Sequence, residues 1–172
     1  LSETSLVARP FHPDEIRAIR ARHTCPIVFV ALGMSAQFTQ PVSVEGVEAH
    51  FYVTEGVPLT GSNVTVIPYS TLHTQDYVAA ADYVVTKAGW GTVAECLLAQ
   101  KPMALFARDS VLEDRTTIRL LEQKKLAIKV TYEQLTEMSD LLEQMKQITY
   151  PAAPEYHNAA AEIVSKLLTL TE

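Results

Sequence analysis

Cysteine, glycine and tryptophan are scarce in this chain, with two, six and one of each. The two cysteines, Cys25 and Cys96, form no metal-ligand cluster and demand no disulfide, so a reduced cytoplasm is the default compartment. Cys96 falls on the apolar face of an expected helix, where a thiol serves as a small core group. An excess of basic charge is also missing. The formal charge is −6 and the pI about 5.4, which argues against a nucleic-acid groove or a polybasic membrane surface. No apolar run is long enough to span a bilayer, and there is no signal-peptide pattern. Repeats, linkers and low-complexity tracts are absent, as are metal-ligand spacings and any nucleophile–base pair that spacing alone would justify. What remains is 172 residues, 48% of them hydrophobic, enough for one domain with a sizeable core. Acidity leaves room for a phosphorylated small molecule, because a few backbone N–H groups and one or two cations suffice to bind it.

The chain is organised around the stretch from Ala80 to Asp109. Tyr83–Thr86 reads as a strand buried on both faces. Gly89 and Gly91 flank Trp90 where the chain is expected to turn sharply and leave N–H groups open. Thr92 to Gln100 reads as a helix with Val93, Cys96 and Leu97 on one face, ended by Lys101-Pro102. Met103–Ala107 is the next strand. A helix that starts after a glycine turn at the carboxyl end of a parallel strand is an anion site.

Two readings of this stretch compete. Gly89-Trp90-Gly91-Thr92-Val93-Ala94 fits the loose dinucleotide pattern G-x-G-x-x-G/A, with Asp109 about 20 residues on as a ribose acid. That fingerprint belongs on the first strand–helix turn of its fold, whereas three strand candidates precede it here. The longer string Lys87-x-Gly89-x-Gly91-Thr92-x-x-Glu95, after Ala81-Asp82-Tyr83-Val84-Val85, resembles the nucleotide-sugar site in the C-terminal half of GT-B glycosyltransferases. These include the peptidoglycan N-acetylglucosaminyltransferases, of the family 28 C-terminal type, and their relatives. The resemblance spans roughly Pro26 to Val130 and is the favoured reading.

It implies roles for particular residues. Gly33 and Ser35 match a loop after the first strand that faces the nucleotide-sugar, although Leu32 replaces the first of two glycines common there. An ordinary strand-to-loop turn explains them equally. Leu72 and His73 match the loop that meets the base; a solvated loop histidine is the plain alternative. Gly91 and Thr92 would offer N–H groups and a hydroxyl to the diphosphate, with Gly89 shaping the turn and Lys87 adding positive charge. Trp90 would cover the site or pack in the core. Glu95 would accept hydrogen bonds from both ribose hydroxyls, or else complete a capping box with Thr92. Arg108, Asp109, Glu113 and Asp114 stand where many of these enzymes carry Asp-His-Gln or a similar cluster aimed at the sugar. The string Arg108-Asp109-x-x-x-Glu113-Asp114 is closer to the glycosyltransferase-like domains fused to sugar kinases such as plant arabinose kinase. That second resemblance keeps a non-catalytic sensing module in play.

The rest of the chain gives the frame. His12-Pro13-Asp14-Glu15 opens a short helix whose Arg17, Arg20 and Arg22 read as a solvated face, with phosphate binding the lesser alternative. Ile27–Leu32, His50–Thr54 and Val64–Ile67 are strands, and Gly56–Ser62 a loop. Thr74 should cap a helix over Gln75–Ala81. A further helix runs to about Lys125 with Ile118, Leu121 and Leu120 inward. Ala127–Val130 is a late strand, and Thr131-x-x-Gln134 a capping box. Ser139–Ile148 and Glu155–Leu170 are amphipathic helices expected to pack on the sheet. The expected architecture is a Rossmann-like, doubly wound α/β fold of about six mostly parallel strands with helices on both faces.

The expected ligand is a nucleoside diphosphate-sugar, a UDP-sugar first among them, with no further cofactor, no metal and no nucleic acid. The chain begins with Leu rather than Met, and reads as the C-terminal half of a larger two-domain protein. Its other half would be an N-terminal acceptor domain, or a fused domain, and any membrane contact would belong to that half. The base that activates the acceptor is expected there too.

Overall fold

A computed structural model describes residues 5–32, 40–107 and 111–169. Its central sheet has six strands, all parallel. In chain order the elements are α1 (Pro13–Arg20), β1 (Ile27–Ala31), β2 (Val42–Ser43), β3 (His50–Thr54), β4 (Leu59–Thr60) and β5 (Val64–Ile67). They continue with α2 (Thr74–Ala80), β6 (Tyr83–Lys87), α3 (Trp90–Leu98), β7 (Met103–Phe106), α4 (Leu112–Gln123), β8 (Ala127–Val130), a 3-10 turn (Glu133–Glu137), α5 (Met138–Met145) and α6 (Ala160–Thr169).

The sheet order is β5-β3-β1-β6-β7-β8. The chain starts at the middle of the sheet, builds outward to one edge, then returns beside β1 and builds to the other. That is the doubly wound arrangement expected from the sequence. The reason lies in the strands. β1 is apolar at every position, as a strand covered on both faces must be. Ile27 and Phe29 enter one core cluster, Val28 and Val30 the other, because successive side chains point to opposite faces. The first cluster takes Ile19 of α1, Val78 of α2, Val93, Cys96 and Leu97 of α3, and Ile118 and Leu121 of α4. The second takes Leu141 and Met145 of α5, with Val44 and Leu59.

Several local expectations are corrected. β2 pairs in parallel with β4, which lies inside the stretch expected to be loop. Helix α2 begins at Thr74 with His73 at its N-cap, so Thr74 does not cap it. Helix α3 begins at Trp90, two residues before the expected start, with Gly89 at the N-cap and no side-chain cap bond. The Thr92–Glu95 capping box is therefore not the way this helix starts. Leu120 is 52% exposed, so the apolar side chains that α4 buries are Ile118 and Leu121. Helix α6 buries none of its described side chains, and Val164, Leu167 and Leu168 are exposed, so it does not pack on the sheet as α5 does. By contrast, Gln134 Oε1 accepts from the Thr131 N–H at 2.8 Å, as the second box expects. Arg20 is no free cation: it donates to Ala80 O at 2.7 Å and to Asp82 at 3.0 Å, while Arg17 pairs with Asp14. Asp82 in turn accepts from the Ile27 N–H at 2.8 Å and so fixes the start of β1.

Candidate functional site

The winding reverses between β1 and β6, and the crevice at their carboxyl ends is where such sheets bind ligands. Ala31 and Thr86 stand side by side there, and the buried Thr86 hydroxyl donates to Ala31 O at 2.8 Å. One turn beyond, β6 ends and α3 begins. The first helical bond runs from the Val93 N–H to Gly89 O at 3.1 Å. The N–H groups of Trp90, Gly91 and Thr92 therefore have no partner within the helix and lie at its positive end.

The turn does not need glycine for the reason expected. Gly89 has φ −74° and ψ 129°, which any residue adopts, so the turn does not require it. Among the described residues, a Cβ at Gly91 would meet nothing within 4 Å, and at Gly89 only the Lys87 side chain, at 3.6 Å. The described residues leave the space above this turn open, bounded by the Lys87 stem. Trp90 is half exposed, which removes the core-packing alternative.

Glu95 is one turn further along α3, and its side chain is only 4% exposed. A carboxylate this deep requires a partner. Arg9 supplies one, its Nε donating to Glu95 Oε1 at 2.8 Å. The sequence reading missed Arg9, because 86 residues separate it from Glu95 and nothing local marks it. Leu72 is exposed and its carbonyl accepts from Arg9 at 3.2 Å. His73 is also exposed, with its ring 4.6 Å from that of His12. The two flank an open cleft of about 460 Å³ that also touches Asp76 and Tyr77. His12 Nδ1 and Asp76 Oδ2 are 2.8 Å apart, Asp76 being buried.

In the first turn of α4, Glu113 is exposed and Asp114 buried. Gly33, Ser35, Arg108 and Asp109 lie outside the described residues. A larger hollow, about 770 Å³, is lined by Cys25, Ala49, Asn63, Tyr83 and Lys146. It opens at the amino ends of the strands, opposite the glycine turn, where sheets of this kind do not place their ligands. Burial pushes the Cys96 thiol far above its ordinary range, as befits a core group. Among the described residues no group of three His, Cys, Asp or Glu could hold a metal ion, and no helix is long and apolar enough to cross a membrane.

A parallel sheet wound in this order, with a glycine turn feeding a helix beside the reversal point, has the plan of the C-terminal half of a GT-B glycosyltransferase. The glycosyltransferase family 28 C-terminal domain matches residues 27–170, and the chain belongs to that family. No curated protein sequence matches it. Among solved structures, it is similar to the glycosyltransferase VinC in complex with dTDP, with TM-score 0.61 and 16% identity over 98% of this chain and 48% of that one. The glycosyltransferase SnogD from Streptomyces nogalater gives TM-score 0.57 and 19% identity over 87% and 44%. Phytolacca americana UGT2, complexed with UDP-2fluoro-glucose and pterostilbene, gives 0.58 and 12% over 93% and 45%. At these identities the likeness is one of fold. The chain spans less than half the length of each of these three structures.

Proposed function

We propose that this domain binds a nucleoside diphosphate-sugar, with UDP as the nucleotide, and forms the donor half of a two-domain enzyme that transfers a hexosyl group to an acceptor. The observation that carries the reading is the open glycine turn at the start of α3, with a buried carboxylate one turn behind it. In this reading the N–H groups of Gly91 and Thr92 and the Thr92 hydroxyl hold the diphosphate, and Lys87 adds a cation. Glu95 takes the ribose hydroxyls, Leu72 and His73 flank the base, and Trp90 covers the bound nucleotide. The reading assigns Gly33 and Ser35 to contact with the nucleotide-sugar, and Arg108, Asp109, Glu113 and Asp114 to the sugar. The group that activates the acceptor belongs to the partner half. The acidic pair Glu113-Asp114, in place of the polar cluster common in the transferases, favours a second reading in which the domain senses the nucleotide-sugar without transferring it.

Calorimetry with UDP, a UDP-hexose and NADH separates the classes. The expected result is binding of UDP and the UDP-hexose, with NADH silent. NADH binding with UDP silent would turn the assignment to a dinucleotide-binding domain.

A further inference from the structure

Arg9 belongs to the segment that leads into α1. Its guanidinium joins three parts of the fold. Nε donates to Glu95 Oε1 at 2.8 Å, Nη1 to the Leu72 carbonyl at 3.2 Å, and Nη2 to the Thr74 hydroxyl at 3.0 Å. The backbone that carries it is itself pinned. Pro10 O accepts from Gln75 Nε2 at 3.0 Å, and the His12 N–H donates to Asp76 Oδ1 at 2.9 Å. Gln75 and Asp76 are both buried in the first turn of α2. The segment 9–12 is thus stapled to the loop that carries Leu72 and His73, and from that staple one side chain reaches across to α3.

We propose that Arg9 is a positioning residue for the nucleoside: it locks the Glu95 carboxylate and the Leu72–Thr74 loop into one unit, so that the ribose acceptor and the base-flanking loop are set together before ligand arrives. This rests on the donor-site reading of Glu95. Two physical arguments carry it. The first is geometric. A guanidinium presents donors in a rigid planar fork, so three bonds to three segments fix their spacing in a way that a point charge on a flexible stem does not. The second is electrostatic. A carboxylate as buried as that of Glu95 requires a partner. Arg9 supplies it on Oε1 and leaves the carboxylate's other lone pairs to accept hydrogen bonds from a ribose. Arg9 itself is 48% exposed against 4% for Glu95, so the pair opens to solvent on the arginine side and Arg9 is accessible to substitution without a cavity being left in the core.

The test compares Arg9→Gln, Arg9→Lys and Glu95→Gln in the 172-residue chain, by calorimetry with UDP and with inorganic pyrophosphate, beside thermal unfolding without ligand. The expected result for Arg9→Gln is a loss of UDP affinity of about tenfold, or about 1.4 kcal/mol, with pyrophosphate affinity changed less than about twofold by the same relation. Arg9→Lys, which keeps the charge and loses the fork, should recover only part of the UDP affinity. A role confined to folding would lower the unfolding temperature and leave the UDP-to-pyrophosphate affinity ratio unchanged, and that result overturns the inference. Equal losses for UDP and pyrophosphate also overturn it, by making Arg9 a general phosphate cation. Full UDP affinity in Arg9→Lys would show that charge alone suffices and overturn the positioning role. If Glu95→Gln leaves UDP affinity untouched, the donor-site reading falls. If Glu95→Gln weakens UDP and Arg9→Gln does not, only the inference about Arg9 falls.

Discussion

Replacing Glu95 by Gln separates its two roles. The substitution keeps the shape and one acceptor oxygen, so the Arg9 Nε–H, now 2.8 Å from Oε1, still has a partner. What is lost is the charge. Hydrogen bonds to charged groups contribute about 1.5–3 kcal/mol and neutral ones about 0.5–1.5, a difference of about 1 kcal/mol per bond. In the free protein that difference applies to the single bond from Arg9, and Arg9 is 48% exposed, so screening keeps the loss below about 1 kcal/mol. For a chain of this size such a loss lowers the unfolding temperature by about 2–4 °C at most. In the complex, two ribose hydroxyls each lose a charge-assisted acceptor. UDP binding should weaken about tenfold or more, since about 1.4 kcal/mol is a factor of ten. Pyrophosphate, which lacks the ribose, should bind nearly as before. The assays are calorimetric titration of both ligands and thermal unfolding of the free variant. Unchanged UDP affinity together with a lowered unfolding temperature would mean that Glu95 is only the structural partner of Arg9, and the ribose assignment would be dropped.

Gly91→Ala should raise the unfolding temperature slightly, because Ala is better than Gly in a helix by about 0.5–1 kcal/mol and, among the described residues, its methyl would meet no neighbour within 4 Å. The same methyl should weaken UDP binding; unchanged affinity would show that the space above the turn is not ligand space. The stacked rings of His23 and His50, centroids 3.8 Å apart, both have pKa values lowered from 6.5. Burial is the main cause for each; Arg22 adds to it at His23, and His23 adds to it at His50. Both protonate less readily folded than unfolded, so their contribution is complete above pH 6.5 and is lost as the pH falls below it. The unfolding temperature should drop between about pH 7 and 5, and should drop less in His23→Gln; equal slopes would refute the coupling. In the proposed reading the activating group belongs to a partner half, so the isolated domain should transfer no hexose from a UDP-hexose to any acceptor. Turnover by the purified 172-residue chain would contradict this.

Much of the frame was legible in the sequence, for a physical reason. A strand covered on both faces must be apolar throughout, as β1 is; the runs at His50–Thr54, Val64–Ile67 and Ala127–Val130 coincide with β3, β5 and β8, although the edge strands β5 and β8 carry the exposed Thr65 and Lys129. The glycine turn, its following helix and the inward face of Val93, Cys96 and Leu97 followed from local spacing in the same way. Tertiary structure decided what depends on residues distant in sequence. It removed Glu95 from a capping box and gave it to Arg9, across 86 positions that no local pattern connects. It moved the start of α3 to Trp90, and it removed backbone strain as the reason for glycine at 89, since only the assembled chain shows the backbone angles adopted there. It also separated α5 from α6, two helices with similar amphipathic patterns, of which one is covered by the sheet and the other buries none of its described side chains. Periodicity tells which face of a helix is apolar; whether anything in the chain covers that face is settled only when the fold is assembled.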